Sequence, residues 1–197
     1  MSRIDDLIGQ LRGLEEEIQV EFDRKRAGFG FVTTDDPRIR FSEQVAALQR
    51  ASKVGVVRYV TGASLLTWIT APVIYLGLIP MLALDLFILV YQAVCFPVYG
   101  ISKAKRSDYV VLDRGDLPYL NMLESFNCMY CGYANGLAAY FREVSARTEQ
   151  YWCPIKHARR LVAVHERYPG FFEYGDAESY RLGLERLRDS LAAEAAQ

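Results

Sequence analysis

Hydrophobic and polar positions alternate in different ways along the chain, and one stretch is almost wholly apolar. Residues 59–102 contain a single charged side chain, Asp85. At about 1.5 Å of helix rise per residue and about 30 Å of bilayer core, this run is long enough to cross a membrane twice. We therefore predict a transmembrane hairpin, with helices over residues 59–78 and 80–101 and a turn at residues 77–80 that contains Gly77 and Pro80.

Helical periodicity predicts an amphipathic helix near each end of the chain. At the N-terminal end, apolar residues recur at intervals of three and four, the spacing of a coiled-coil seam. A helix over residues 176–195 carries a matching stripe. The two stripes are Ile4, Leu7, Leu11, Leu14 and Ile18, and Tyr180, Leu184, Leu187 and Leu191. We expect these helices to pack together or to mediate self-association.

Three further helices are predicted between residues 116 and 167. Asp116 caps the first, with Pro118 in its first turn; the second has its apolar face over residues 137–151; the third begins at Pro154. The fold class is therefore a mostly α integral membrane protein with a transmembrane hairpin and a helical cytoplasmic domain. Its predicted parts are N-terminal helices (1–53), the hairpin (54–102), a Cys-rich helical domain (103–175) and a C-terminal amphipathic helix (176–197).

The distribution of charge predicts the orientation of the hairpin and argues against nucleic acid as a partner. With 23 Lys and Arg against 24 Asp and Glu, the chain lacks the basic excess on which nucleic-acid binding depends. Basic residues flank the apolar run on both sides, and the predicted turn has none. The positive-inside rule then places both termini in the cytoplasm, in a bacterial-type inner membrane with two transmembrane helices. The flanking residues are Arg50, Lys53, Arg58, Lys103, Lys105 and Arg106.

Asp85 is a functional candidate because an ionised side chain inside a membrane is costly. It lies about one turn into the second predicted helix, near the non-cytoplasmic end. We expect it to reach the headgroups, to stay protonated, or to form hydrogen bonds with Thr67, Thr70 or Tyr75 of the other helix. A role in ion or proton movement is the alternative, and it would require an oligomer.

Three of the four cysteines and one of the two histidines lie within 30 residues, in the pattern CxxC, 21 residues, CxxxH. Thiolates in CxxC spacing reach one metal ion, and an interval of four places Cys153 and His157 on one face of a helical turn. We predict a Cys3His metal site formed by Cys128, Cys131, Cys153 and His157, with His165 as an alternative fourth ligand. Four protein ligands indicate structural zinc, and iron is the alternative.

The segments Cys128-x-x-Cys131-Gly132-Tyr133 and Cys153-Pro154 resemble the two metal-binding knuckles of rubredoxins and related zinc ribbons. The resemblance is local to about eight residues. It implies a tetrahedral iron or zinc site with Cys128, Cys131 and Cys153 as ligands. Lys156 stands where that family has a further Cys, and His157 is the nearest substitute.

These features predict a membrane-anchored, cytoplasm-facing, zinc-binding protein that acts as an accessory or interaction module. A metal-free scaffold or assembly subunit that acts through its terminal helices is the first alternative, and an iron-based redox or sensor protein is the second. The chain has no phosphate-binding glycine loop and no HExxH motif, which argues against an enzyme.

Overall fold

The computed structural model describes residues 3–28, 31–32 and 40–196, and in these ranges the protein is mostly helical. The helices are α1 (Arg3–Ala27), α2 (Glu43–Ala51), α3 (Val56–Thr61), α4 (Leu65–Leu76), α5 (Leu78–Tyr99), α6 (Met122–Trp152) and α7 (Ala177–Ala195). Two short strands, β1 (Phe31–Val32) and β2 (Arg40–Phe41), pair antiparallel, with Phe31 opposite Phe41. Short 3-10 turns cover Arg106–Asp108, Asp113–Asp116 and Tyr168–Gly170.

The chain forms two compact units that interleave in sequence. The first contains the described residues up to Val60 together with Gly115–Ser125, and the second contains Thr61–Arg114 and the described residues from Phe126 onward. The division of the sequence into four parts stays a prediction.

In the first unit, α1 confirms the predicted N-terminal helix, but the unit does not cover its apolar stripe. Leu7, Leu11, Leu14 and Ile18 are each more than half exposed. The side chain of Ile4 lies outside the described part of the structure. Packing of α1 against the C-terminal helix stays a prediction.

The start of α6 differs from the sequence prediction. The expected cap, Asp116, ends a 3-10 turn, and α6 begins at Met122. Asn121 Oδ1 accepts hydrogen bonds from the backbone N–H groups of Leu123 and Glu124, both at 3.0 Å, and Glu124 Oε2 accepts from the N–H of Asn121 at 2.9 Å. This reciprocal capping box places the N-cap at Asn121, five residues after Asp116.

The predicted hairpin of two membrane helices is absent from the structure. Gly77 has right-handed helical dihedral angles (φ −58°, ψ −18°), and α5 begins at the next residue. The N–H of Gly77 donates to Ile74 O, and the N–H of Met81 donates to Gly77 O, so hydrogen bonds of helical type lie on both sides of the junction. A single residue in helical conformation cannot reverse the chain direction. Leu65–Tyr99 therefore forms one apolar helical run of 35 residues, the α4–α5 run.

The reversal comes instead at the end of α5, where Gly100 adopts the left-handed conformation (φ 65°). The N–H of Ile101 donates to Phe96 O and that of Gly100 donates to Pro97 O, the two hydrogen bonds of a Schellman motif. The chain then runs back along α5 as a strap, residues 101–114. Ala104 contacts Gln92, seven residues before the end of α5, and Arg106 contacts Asp85, fourteen residues before it.

Helix α6 then runs parallel to α5, because Tyr133 contacts Asp85, Tyr140 contacts Gln92, and Tyr151 contacts Tyr99. The core lies between α5, the strap and α6. It contains Ile88, Phe96, Ile101, Ala104, Val110, Tyr133, Leu137, Tyr140 and Val144.

The C-terminal part of the chain covers the end of α6. The predicted C-terminal helix is confirmed as α7, with Asp176 as its N-cap: Asp176 Oδ1 accepts from the N–H of Ser179 at 3.0 Å. Leu191 of its apolar stripe is fully buried. Arg167 joins this region to α6 and α7 through Gln150 (2.8 Å) and Glu194 (3.0 Å).

Candidate functional site

The structure separates the cysteines that the sequence groups together. Cys128 and Cys131 lie inside α6, and Cys153 directly follows its last residue. Cys131 and Cys153 are therefore 22 residues apart along one helix, about 33 Å at 1.5 Å per residue. The predicted break between two helices after Cys131 does not exist, so in this conformation the CxxC pair and Cys153 cannot bind the same ion.

The predicted third helix, which would place Cys153 and His157 on one turn, is also absent. Residues 153–157 are not helical, and they run beside Phe172. The N–H of Lys156 donates to Phe172 O (2.7 Å), and the N–H of Phe172 donates to Pro154 O (2.8 Å). This bridge holds the segment extended, and the exposed His157 ring stacks on Tyr168.

His165, the alternative fourth ligand, has a different partner. Its Nε2 lies 3.0 Å from Glu149 Oε2, and its buried Nδ1 has no hydrogen-bond partner among the described residues. Among those residues no group of three or more Cys, His, Asp or Glu side chains could hold a metal ion. The arrangement therefore does not fit the predicted Cys3His site, and zinc or iron binding stays a prediction of the sequence.

A polar cluster in the second unit is formed by Asp85 of the apolar run, Arg106 of the strap and Tyr133 of α6. Asp85 accepts three hydrogen bonds from Arg106: two from Nε, at 3.0 and 3.1 Å, and one from a terminal nitrogen at 2.7 Å. Tyr133 Oη donates to Asp85 Oδ2 at 2.9 Å. Only 10% of the Asp85 side chain is exposed.

The hydrogen-bond partners of Asp85 differ from those expected from the sequence. Thr70 donates to Leu66 O, and Thr67 pairs with Ser64, so neither contacts the carboxylate. Tyr75 donates to Asn127 Oδ1. The expected hydrogen bonds of Asp85 to the preceding helix are therefore absent, because the strap brings Arg106 back beside the carboxylate. Hydrogen bonding to Asp85 raises the pKa of Arg106, and burial, followed by the bond to Asp85, raises the pKa of Tyr133.

A second polar side chain, Gln92, lies two turns after Asp85 on the same face of α5. Its amide N–H donates to Tyr140 Oη, and its Oε1 accepts from the N–H of Ala104 at 2.8 Å. Asp85, Ile88, Gln92 and Phe96 form the buried side of α5, which we name the inward face. Sequence reasoning did not assign Arg106, Tyr133, Gln92 or Tyr140 to a buried polar cluster. The spacing of seven between Asp85 and Gln92 in an apolar helix was the available signal.

The other side of the α4–α5 run is uncovered, and we name it the outward face. Only 11% of the most apolar 18-residue window of this run is buried. Helix α4 has no buried residue at all. The large apolar side chains that are more than half exposed are Leu65, Leu66, Ile69, Val73, Ile74, Leu76, Ile79, Leu82, Leu86, Phe87, Val90, Val94 and Val98.

The fold and these faces define a mostly helical protein with one apolar helical run long enough to span a membrane, the longest such run in the described residues. No protein-family model matches the chain, and neither a curated protein nor a solved structure shows significant similarity to it.

Proposed function

We propose that this protein is a membrane-anchored accessory or scaffold protein that binds a bilayer through the outward face of the α4–α5 run. The observation that carries this proposal is the exposure of that face, which continues from Leu65 to Val98. Soluble monomers seldom expose apolar patches of more than a few hundred Å². A mainly apolar helix without a charged residue on any side, such as α4, requires a protein core or lipid around it.

The length of the run favours an orientation in the plane of the membrane over a perpendicular crossing. Thirty-five helical residues extend for about 52 Å, whereas the hydrocarbon core is about 30 Å thick. The outward face remains apolar over nearly the whole of that length. An in-plane orientation buries all of it in one leaflet, as in monotopic proteins.

Charges next to the inward face support the same orientation. Lys105 and Asp108 flank Arg106 on the strap, and both side chains are exposed. In a perpendicular crossing by α5, Asp85 and these neighbours would lie about 10 Å from the start of the helix, within the hydrocarbon, where charge is costly. In the plane of the membrane, the outward face points into lipid and the strap lies toward headgroups and water. The single run supports this orientation better than the two crossings expected from the sequence.

We assign the protein to the cytoplasmic side of a bacterial-type inner membrane. Basic residues on both sides of the α4–α5 run are attracted by the negative surface of that leaflet. Lys103 and Lys105 are exposed side chains of the strap, and Lys53 is exposed before α3. Both termini then remain in the cytoplasm without any crossing.

The accessory role rests on α1. Its stripe of Leu7, Leu11, Leu14 and Ile18 is exposed and has the spacing of a helix-pairing seam. Replacing Leu11 and Leu14 by Glu should abolish self-association or the recovery of bound proteins, measured by light scattering and co-purification. Unchanged assembly would count against a role for α1.

Flotation with lipid vesicles tests the membrane proposal. The wild-type protein should float with vesicles of phosphatidylcholine and phosphatidylglycerol, and the double variant Leu86→Lys, Val90→Lys should remain in the dense fractions. Leu182→Lys is the matched control, because Leu182 is as exposed as these residues but lies on α7, outside the outward face. Equal flotation of all three proteins would contradict the proposal.

Depth measurements separate the two orientations. Spin labels on cysteines introduced at positions 65, 76 and 94, which lie on one side of the run and are exposed, should report similar depths in the bilayer if the run lies in its plane. A perpendicular helix would instead give depths that change steadily from one label to the next.

A further inference from the structure

A groove of about 310 Å³ lies between α5 and α6 in the second unit. Its walls are aromatic and aliphatic, and Thr148, Glu149 and Cys153 lie along α6 toward its C-terminal end. The volume is at the lower end of the range for small-molecule sites. The walls are formed by Phe87, Ile88 and Tyr91 of α5 and by Phe141, Val144 and Trp152 of α6.

The polar groups beside the groove are already hydrogen-bonded within the protein. Tyr91 Oη and Thr148 Oγ1 lie 3.1 Å apart, and Thr148 also donates to Val144 O at 2.8 Å. Glu149 pairs with His165 at 3.0 Å. A polar ligand would have to break these bonds, whereas a hydrocarbon chain needs none of them. The groove therefore favours an apolar occupant.

The groove is continuous with the outward face. Phe87 is 58% exposed and belongs to both, while Phe141 and Trp152 continue the apolar surface onto α6. If this surface lies against a bilayer, acyl chains are the most abundant apolar groups at the groove.

We propose that this groove binds a single acyl chain of a membrane lipid. The inference rests on the proposed membrane attachment and deepens it, because it makes one lipid a specific ligand rather than part of the surrounding solvent. Burial of each methylene against the groove walls supplies the attraction.

The two tryptophans of the chain test membrane attachment and acyl-chain binding separately. Trp68 lies on α4 and is half exposed, and Trp152 lines the groove. Each can be made the sole tryptophan, by Trp152→Phe or by Trp68→Phe. Vesicles of phosphatidylcholine with bromine atoms on the acyl chains quench the fluorescence of a tryptophan that touches those chains. Both single-tryptophan proteins should be quenched relative to vesicles without bromine.

Filling the groove distinguishes a bound chain from general contact with lipid. Ser145 lines the groove, so Ser145→Phe should reduce the quenching of Trp152 roughly twofold or more, because a filled site excludes the chain. The same substitution should leave the quenching of Trp68 unchanged, which also shows that the variant still folds and binds membranes. Ser179→Phe, on the exposed start of α7, is the control and should alter neither signal.

The possible failures are distinct. If Trp68 is not quenched, the proposed membrane attachment is wrong. If Trp68 is quenched but Trp152 is not, or if Ser145→Phe leaves the quenching of Trp152 unchanged while Trp68 remains quenched, the acyl-chain site is wrong and the membrane proposal stands. Ser145→Leu, a smaller filling residue, should give an intermediate reduction and guards against an artefact of the larger ring.

Discussion

The two faces of α5 carry opposite chemistry although they belong to the same 22 residues. The inward face holds Asp85 and Gln92, and each of these side chains is hydrogen-bonded to both the strap and α6. The outward face is apolar, and the described residues of its own unit leave it uncovered. An apolar helix is therefore oriented by its few polar residues, which mark the side that faces the rest of the protein.

The largest expected effect comes from breaking the ion pair on the inward face. Arg106→Ala leaves the Asp85 carboxylate buried without its cation and should lower the free energy of unfolding by about 3 kcal/mol, a value reduced by the partial exposure of Arg106. Thermal or urea unfolding in detergent micelles measures the change. Replacing Asp85 and Arg106 together by Leu should recover most of the loss, because no unpaired charge remains. A double variant as unstable as the single one would contradict this account.

Adding a side-chain atom between the strap and α6 should also destabilise the protein. A Cβ atom at position 136 would lie 2.5 Å from Tyr109 O and 2.9 Å from Val110 Cα, both backbone atoms of the strap. Gly136→Ala should therefore cost about 1 to 3 kcal/mol. Gly132→Ala is the matched control one turn earlier, where the nearest atom of the strap is 3.5 Å away, and it should be neutral or slightly stabilising. Equal effects at the two positions would show that the strap does not pack as described.

A charge on the outward face should leave the fold intact and weaken membrane binding. Leu86→Lys should change the free energy of unfolding in detergent by less than about 0.5 kcal/mol, because Leu86 is exposed. Its affinity for vesicles should fall about tenfold, which corresponds to about 1.4 kcal/mol. Flotation at graded lipid concentrations provides the measurement. A large loss of folding stability with unchanged flotation would contradict this, because it would show that Leu86 stabilises the fold and does not contact lipid.

A smaller effect is expected at Cys153, beside the groove. Burial, followed by the negative charge of Glu149, raises the pKa of the Cys153 thiol. The thiolate is the reactive form, so the alkylation rate of a protein with Cys153 as its only cysteine should rise at a higher pH than for an ordinary cysteine. Glu149→Gln should move the midpoint of this pH profile downward. A midpoint at or below the ordinary value would show that Cys153 is not shielded in this way.

The smallest expected effect is that of metal removal. Since 21 helical residues separate Cys131 from Cys153, a chelator should leave the unfolding midpoint of the purified protein unchanged. Metal analysis of the wild type and of Cys128→Ser, Cys153→Ser and His157→Ala completes the test. One zinc per chain, lost in all three variants, would require residues 122–153 to adopt another fold and would restore the Cys3His hypothesis.

Sequence periodicity predicted the helical character, the apolar run and α7, because these depend on local patterns; the Asp176 cap of α7 came from the structure. Two of the misplaced helix boundaries have a common cause, because glycines such as Gly77 and Gly132 often end helices. Gly136 and Gly132 instead form the side of α6 that the strap approaches, and this contact is formed between residues far apart in sequence. The capping box of Asn121 and Glu124 was visible in the sequence and was overlooked in favour of Asp116. The pairing of Asp85 with Arg106 could not be foreseen without the chain reversal at Gly100.

The ion pair between Asp85 and Arg106 also sets the rotation of α5 about its own axis. Each helical residue advances by about 100°, so anchoring Asp85 and, two turns later, Gln92 determines the direction in which every other side chain of the helix points. The azimuth of Leu86, Val90 and Val94 is thereby established by polar contacts on the opposite side of the helix. The direction of the surface that we propose to bind lipid is therefore determined by contacts inside the protein.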